Sequence, residues 1–350
     1  MKPTSRRDRL KRVSARSLSR SHEHTLRILD WEYVHDSAVL ERFERRHDVV
    51  VEVETAASSA SAIERLAREP VPDLVALGNY AVPQAIDQGL IQPLDVDRID
   101  AYDAVFDGLK RDYFTKNGET YAVPRSFGQT PLCYHADRVE TPPDSWEALI
   151  DGRVSPACAR DDAQLTALYL SVLDGFAVSN TPLSEVESDR LRDDFVDYLQ
   201  PVEGLWRTAD DAQALFRRLD PVAGGPVWRF AARQLQRSGV PVEIVRPTEG
   251  TKTWVIQFAR PTGSTADTLS RAFIDAWHDW LGWETLMQPL GIAIPSEAVF
   301  ERYDADMSAY GLDDFDDFVE QPPLAAETVS RCREAWAEAK RTAGLANDDE

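Results

Sequence analysis

The residues of this 350-residue chain that could ligate a metal or attack a substrate are, first, three cysteines and six histidines. Cys133, Cys158 and Cys332 form no C-x-x-C pair and no Cys/His set with metal-ligand spacing, so neither a zinc site nor a redox pair is legible and idle thiols are expected. His22 and His24 stand in a basic N-terminal segment. The chain has no G-x-S-x-G, H-E-x-x-H, G-x-G-x-x-G or G-x-x-x-x-G-K-[ST] motif, which removes the common hydrolase, metalloprotease, dinucleotide and P-loop chemistries. The acidic run from Asp313 to Asp317 reads as a solvated loop rather than a metal site. No enzyme activity, cofactor or metal is expected.

The formal net charge is -21, and Lys occurs only at positions 2, 11, 110, 116, 252 and 340. That balance disfavours nucleic acid. An acidic, lysine-poor surface is expected of a halophilic protein, because at about 1 M salt self-repulsion is screened over roughly 3 Å. No apolar run approaches the roughly 18 to 20 residues that a membrane span needs.

Residues 1–24 hold eight Lys/Arg and two acids, with no hydrophobic periodicity, and are expected to be disordered. From Thr25 the pattern becomes short apolar runs alternating with amphipathic stretches. Leu26-Arg27-Ile28-Leu29, Val49 to Val53 and Asp73 to Leu77 read as strands. Residues 36–47, 58–68 and 83–88 read as the helices between and after them. This β-α alternation predicts an α/β protein with mainly parallel sheets flanked by helices, whose ligands sit at the carboxyl ends of strands. Later signals are Tyr121 to Pro124, Leu132 to Tyr134, a capped helix start at Ser145-Trp146, and strands at 242–245 and 254–258. Residues 268–288 form an amphipathic helix whose Phe273, Trp277, Trp280 and Leu281 are expected in the core.

The string Leu29-Asp30-Trp31-Glu32-Tyr33-Val34 resembles the opening of spermidine/putrescine-binding proteins, solute-binding components of ABC importers. Further landmarks follow in the same order: Asp73-Leu74-Val75 with Asn79-Tyr80, Tyr121-Ala122-Val123-Pro124 with Phe127-Gly128, Ser145-Trp146, Asp161-Asp162-Ala163, Trp228, Pro247-x-Glu249-Gly250 with Trp254, and Gly291-x-x-x-Pro295. The resemblance spans about residues 25–340. It implies a two-lobed, type II periplasmic-binding-protein-like fold joined by hinge crossovers, with lobe 1 at 25–131 plus 257–296 and lobe 2 at 132–256 plus 297–346. A polyamine is a flexible cation, so its site needs aromatic walls for the methylenes and carboxylates for the ammonium ends. The resemblance places Trp31, Tyr33, Tyr80, Trp228 and Trp254 on the walls, Glu32 and Asp162 among the acids, and Gln321 beside them.

Two family acids are replaced, by Leu165 and Ile256, while Arg125 and Lys252 bring positive charge toward the expected site. The implied partners are a polyamine-like amine and, if the chain is exported, ABC permease subunits; a monomer is expected. Export is implied by the resemblance, yet Ser5-Arg6-Arg7-Asp8-Arg9-Leu10-Lys11 matches the twin-arginine motif only in part and lacks the apolar stretch after it. The segment therefore reads either as a decayed signal or as a basic tail, and a cytosolic binding or regulatory paralogue is the alternative function. The charge pattern predicts that the unfolding midpoint rises between about 0.1 and 2 M KCl; a midpoint unchanged across that range would mean an ordinary acidic surface.

Overall fold

The computed structural model describes residues 25–31, 37–176, 178–179, 181–312, 318–320 and 322–346. The basic tail, Glu32, Tyr33, the Asp313 to Asp317 run and Gln321 lie outside the described residues. The strands are β1 (Thr25–Trp31), β2 (Val50–Ala56), β3 (Leu74–Gly78), β4 (Ile91–Gln92), β5 (Thr115–Lys116), β6 (Glu119–Thr120), β7 (Ala122–Thr130), β8 (Leu132–His135), β9 (Ala157–Arg160), β10 (Val202–Trp206), β11 (Gly224–Pro226), β12 (Val242–Val245), β13 (Thr251–Pro261) and β14 (Phe318–Glu320). The principal helices are α1 (Ser37–His47), α2 (Ser59–Leu66), α3 (Val82–Asp87), α4 (Ala163–Leu173), α5 (Glu185–Leu199), α6 (Ala209–Arg217), α7 (Arg229–Arg237), α8 (Asp267–Ala276), α9 (Glu297–Arg302) and α10 (Ala326–Thr342).

The chain divides into two units, one of Met1–Arg125, Ile256–Pro289 and Ile294–Tyr303, the other of Ser126–Val255, Leu290–Ala293 and Asp304–Glu350. It passes from one to the other within β7 and within β13.

In the first unit, β1 lies between β2 and β3 and is parallel to both, from Thr25↔Val50 to Trp31↔Ala56 and at Ile28↔Leu74. Ile256 to Ala259 of β13 run antiparallel on the far side of β3. All five residues of β3 are buried, as expected of a parallel strand covered on both faces. Ser58 starts α2 with a reciprocal capping box to Ser61. The helix expected over 268–288 begins as α8 and continues through π-helical turns at Trp277–Leu281 and Trp283–Met287. Phe273 and Trp277 are fully buried there and meet Phe258 of β13 edge to face, with ring centroids 5.9 and 5.4 Å away.

In the second unit the strand order is β10-β9-β11-β8-β12, with β9 parallel to β10 and β11, and β8 antiparallel to β11 and β12. Strand β11 is Gly-Gly-Pro because neighbouring backbone comes close: a Cβ on Gly224 would lie 2.6 Å from the Cys133 carbonyl oxygen. Beside this sheet α4, α5 and α10 share a core that includes Tyr169, Phe195, Tyr198 and Trp336, and Trp146 stacks on Tyr169 at 4.8 Å. The three cysteines are buried and unpaired. Burial pushes the Cys158 thiol up to about 12 and the Cys332 thiol to about 11, and Cys133 is likewise raised.

Each unit buries charge around one aspartate. In the first, the Arg125 guanidinium donates to Asp30 Oδ2 at 2.8 Å, and both side chains are almost wholly removed from solvent. Burial lowers the Arg125 pKa, opposed by the charge and hydrogen bond of Asp30. The guanidinium also lies 4.4 Å from the Trp277 ring centre. Arg125 therefore does not bring unbalanced positive charge to a binding site, as its sequence position suggested; Asp30 neutralises it within the core. In the second unit, Asp161 accepts from Trp336 Nε1 at 2.8 Å and from Arg207 Nε at 2.9 Å, with Lys340 Nζ at 3.2 Å. Burial disfavours its charge, but these partners outweigh that and hold its carboxyl below the usual value.

Arg125→Met would strand a buried carboxylate and is expected to cost about 3–5 kcal/mol in denaturant unfolding, with part of the loss recovered by adding Asp30→Asn. Asp161→Asn is expected to cost about 1.5–3 kcal/mol, since it weakens charge-assisted hydrogen bonds. The Asp161 contribution has a depressed folded-state pKa, so it is complete above about pH 4 and fades as pH falls through that lower value. Unfolding curves of wild type and Asp161→Asn should therefore converge in acid.

Candidate functional site

Parallel strands bring their carboxyl ends to one sheet edge, and backbone beyond that edge is where α/β proteins hold ligands. In the first unit this edge carries Trp31, the last residue of β1, and Tyr80, two residues past the end of β3. Asp30 fixes the turn-off: its Oδ1 accepts from the Trp31 backbone N–H at 2.7 Å, while Oδ2 takes Arg125. Trp31 is half-buried, and its indole Nε1 is shielded from solvent without a hydrogen-bond partner among the described residues. The Tyr80 ring covers Gly78, where a Cβ would sit 2.6 Å from Tyr80 Cε1, so the ring needs a glycine beneath it. Gly78 N–H donates to Ser59 Oγ at 2.9 Å, and Asn79 Nδ2 donates to Tyr113 OH at 3.1 Å, which tethers the backbone on either side.

In the second unit the corresponding edge is formed by β9, β10 and β11. Arg160 ends β9 opposite Trp206, which ends β10. Trp228 follows β11 as the residue capping α7, and Asp162 caps α4. Arg160 joins them: its guanidinium lies 4.9 Å from the Trp228 ring centre, 5.7 Å from that of Trp206, and 3.5 Å from Asp162 Oδ2. Trp206 and Trp228 meet edge to face at 4.9 Å, and Phe230 stacks on Trp228 at 5.5 Å. Asp162 Oδ1 accepts from Leu165 N–H at 3.0 Å. Asp162 is thus engaged twice, as a helix cap and as the partner of an arginine.

Lys252 is buried on β13. Burial lowers its pKa to about 7, with Asp162 raising and Arg160 lowering it, so all three feel one another electrostatically. Trp254 shares the strand face of Lys252 by the two-residue alternation. Its ring lies on Gly128, where a Cβ would be 2.8 Å from Trp254 Cε2, and its Nε1 also has no partner among the described residues. Glu249 lines a small cavity with Lys252 but accepts from the Ser145 hydroxyl and from Trp146 N–H at 3.3 Å, holding the turn at Trp146–Leu149.

Of the residues singled out from sequence, the structure sets Trp31 and Tyr80 on one strand edge, and links Asp162 to Trp228 through Arg160. Glu32, Tyr33 and Gln321 lie outside the described residues. Leu165 is core, 2% exposed at the first turn of α4. Sequence reasoning missed Arg160 and Trp206; a cation two residues before Asp162 was the available signal. Ring faces, one carboxylate and two cations can bind and orient a small charged solute.

Residues 38–311 match the family described as bacterial extracellular solute-binding protein. The spermidine/putrescine-binding periplasmic protein of Salmonella typhimurium is 24% identical over 252 residues, 70% of each chain. Among solved structures, the spermidine/putrescine ABC transporter substrate-binding protein of Streptococcus pneumoniae superposes with a TM-score of 0.75 at 17% identity, over 92% of this chain and 100% of that one. The Tp0655 lipoprotein of Treponema pallidum gives 0.76 at 17% identity, over 90% and 99%. The chain belongs to the bacterial extracellular solute-binding protein family and has the fold of the type II periplasmic binding proteins.

Proposed function

We propose that this chain is the solute-binding component of an ABC importer for a small linear amine of the polyamine class, that it works outside the membrane as a monomer with permease subunits, and that it is not an enzyme. The observation that carries the reading is the placement of aromatic side chains at the carboxyl edge of both sheets, Trp31 and Tyr80 on one and Trp228 on the other, with Trp254 over Gly128 in the second unit. Ring faces suit methylenes and ammonium groups alike. The names of the relatives support the amine class. In this reading the residues that the resemblance adds to the binding set are Glu32, Tyr33 and Gln321.

The number of acids limits the charge of that solute. Leu165 and Ile256 occupy positions where the resemblance expects carboxylates, and each absent charge-assisted hydrogen bond removes about 1.5–3 kcal/mol. A short diamine therefore suits the chain better than a tri- or tetra-amine. Titration calorimetry in high salt is expected to show saturable binding of putrescine at least as tight as that of spermidine. Trp31→Ala and Tyr80→Ala should each weaken putrescine by about 5- to 30-fold, the equivalent of a desolvated cation–π contact. Absence of heat with both amines would refute the amine class and leave only the family.

A further inference from the structure

Lys252 is the residue of the second unit that fits an amine site least well as a fixed charge. It stands on β13, 4% exposed, two residues before Trp254 and on the same strand face. About 6.6 Å of strand therefore separates it from a ring that the amine reading gives to the ligand. The cavity it lines is walled mainly by Trp146, Leu168, Tyr169 and Val172, which solvate an ammonium poorly. The charged and titratable groups around it can be named among the described residues. Burial works most strongly against its charge; Asp162 favours the protonated form and Arg160 opposes it. Glu249 lines the same cavity but accepts from Ser145 and Trp146. The Tyr169 phenol is raised by burial and stays neutral. Glu320 of β14 pairs with Thr253 and so shares that residue's face, not the face of Lys252. The balance brings Lys252 to about 7, where ammonium and amine are both populated at neutral pH. A cationic solute upsets that balance. An ammonium reaching this edge draws on the charge of Asp162, which holds the proton on Lys252, and adds a like charge to that of Arg160.

We propose that Lys252 is a proton-exchanging residue that governs amine affinity: the solute binds the chain whose Lys252 is neutral, and binding to the protonated chain releases the Lys252 Nζ proton to solvent. The inference rests on the amine reading above and concerns residues of the second unit only. Proton release removes the repulsion that a permanent charge at this position would impose, so a buried lysine and a cationic ligand are compatible.

The test is calorimetry of putrescine with the full chain at about pH 6, 7 and 8, in buffers of low and high ionisation heat. The ligand's own ammonium groups, titrating like a free lysine near about 10.4, keep their charge across this range. Wild type should release about half a proton per putrescine at about pH 7, and should bind about tenfold tighter at about pH 8 than at about pH 6 as the neutral fraction of Lys252 grows. Lys252→Met keeps an unbranched stem without the proton. It should release none, lose the pH dependence, and bind at about pH 6 as tightly as wild type does at about pH 8. Lys252→Arg keeps its charge at every pH and should bind about tenfold more weakly than wild type at about pH 8, again without proton release. If the longer arginine does not fit the buried position, the Lys252→Met comparison decides by itself. Asp194 of α5 is also pushed up to about 7, by burial and by Asp174 beside it, and Lys252→Met leaves it in place. A pH dependence that survives in Lys252→Met therefore belongs to another group and overturns the proposal. Putrescine binding by wild type without proton release overturns it too, and both outcomes leave the amine reading standing. If putrescine does not bind at any of these pH values, the amine reading fails and the linkage fails with it.

Discussion

A guanidinium placed beyond the reach of water is tolerable only beside a carboxylate that it can hydrogen-bond, and the interior of the first unit is arranged around that requirement. Arg125 is held by Asp30 Oδ2, and the same aspartate uses Oδ1 to hold the backbone N–H of Trp31. The Arg125 carbonyl in turn accepts from Trp277 Nε1 at 2.8 Å, and the guanidinium lies against the Trp277 ring. One aspartate thus fixes where β1 ends, where β7 runs and how the aromatic stretch after α8 is seated. Removing either charge leaves the other without compensation in a low-dielectric interior, a larger loss than the pair's own net worth. The direction in which Trp31 leaves its strand is a by-product of this core.

The second unit reaches a comparable rigidity by different means. Its edge is organised by flat groups packed on one another: Phe230 on Trp228, Trp228 against Trp206, and Arg160 over both. Trp206 is further fixed by its Nε1, which donates to the Pro226 carbonyl at 3.0 Å. These contacts restrict the arginine to a narrow set of orientations. In the first unit the charge is spent on the fold; in the second it is held at an edge.

The sequence was legible where local pattern and burial agree. In the first unit, apolar runs separated by amphipathic stretches mark β1, β2 and β3. The second unit was largely unread between about residues 150 and 240, for physical reasons. Strand β9 is Ala-Cys-Ala-Arg and β11 is Gly-Gly-Pro, with none of the branched or aromatic side chains that signal a strand, and at Gly224 and Gly225 the neighbouring backbone leaves no room for them. Helix α4 is buried on most of its circumference, so it shows no polar stripe to reveal its period. Trp31, Tyr80, Asp162 and Trp228 could be picked out because their order along the chain matched a known series. Their charge environment could not: that Arg125 pairs with Asp30 within the core while Arg160 meets Asp162 at a strand edge depends on which residues strand pairing brings together.

The distribution of thiols has a practical side. All three cysteines lie in the second unit, at positions 133, 158 and 332, while the first unit has none. Each is buried with its thiolate form disfavoured, so an alkylating reagent finds nothing to attack in the intact fold. Their modification would register opening of the second unit alone, with Cys133 and Cys158 reporting on the sheet and Cys332 on α10. The protein thus carries, without engineering, a built-in chemical clock that separates the breathing of one half from that of the other.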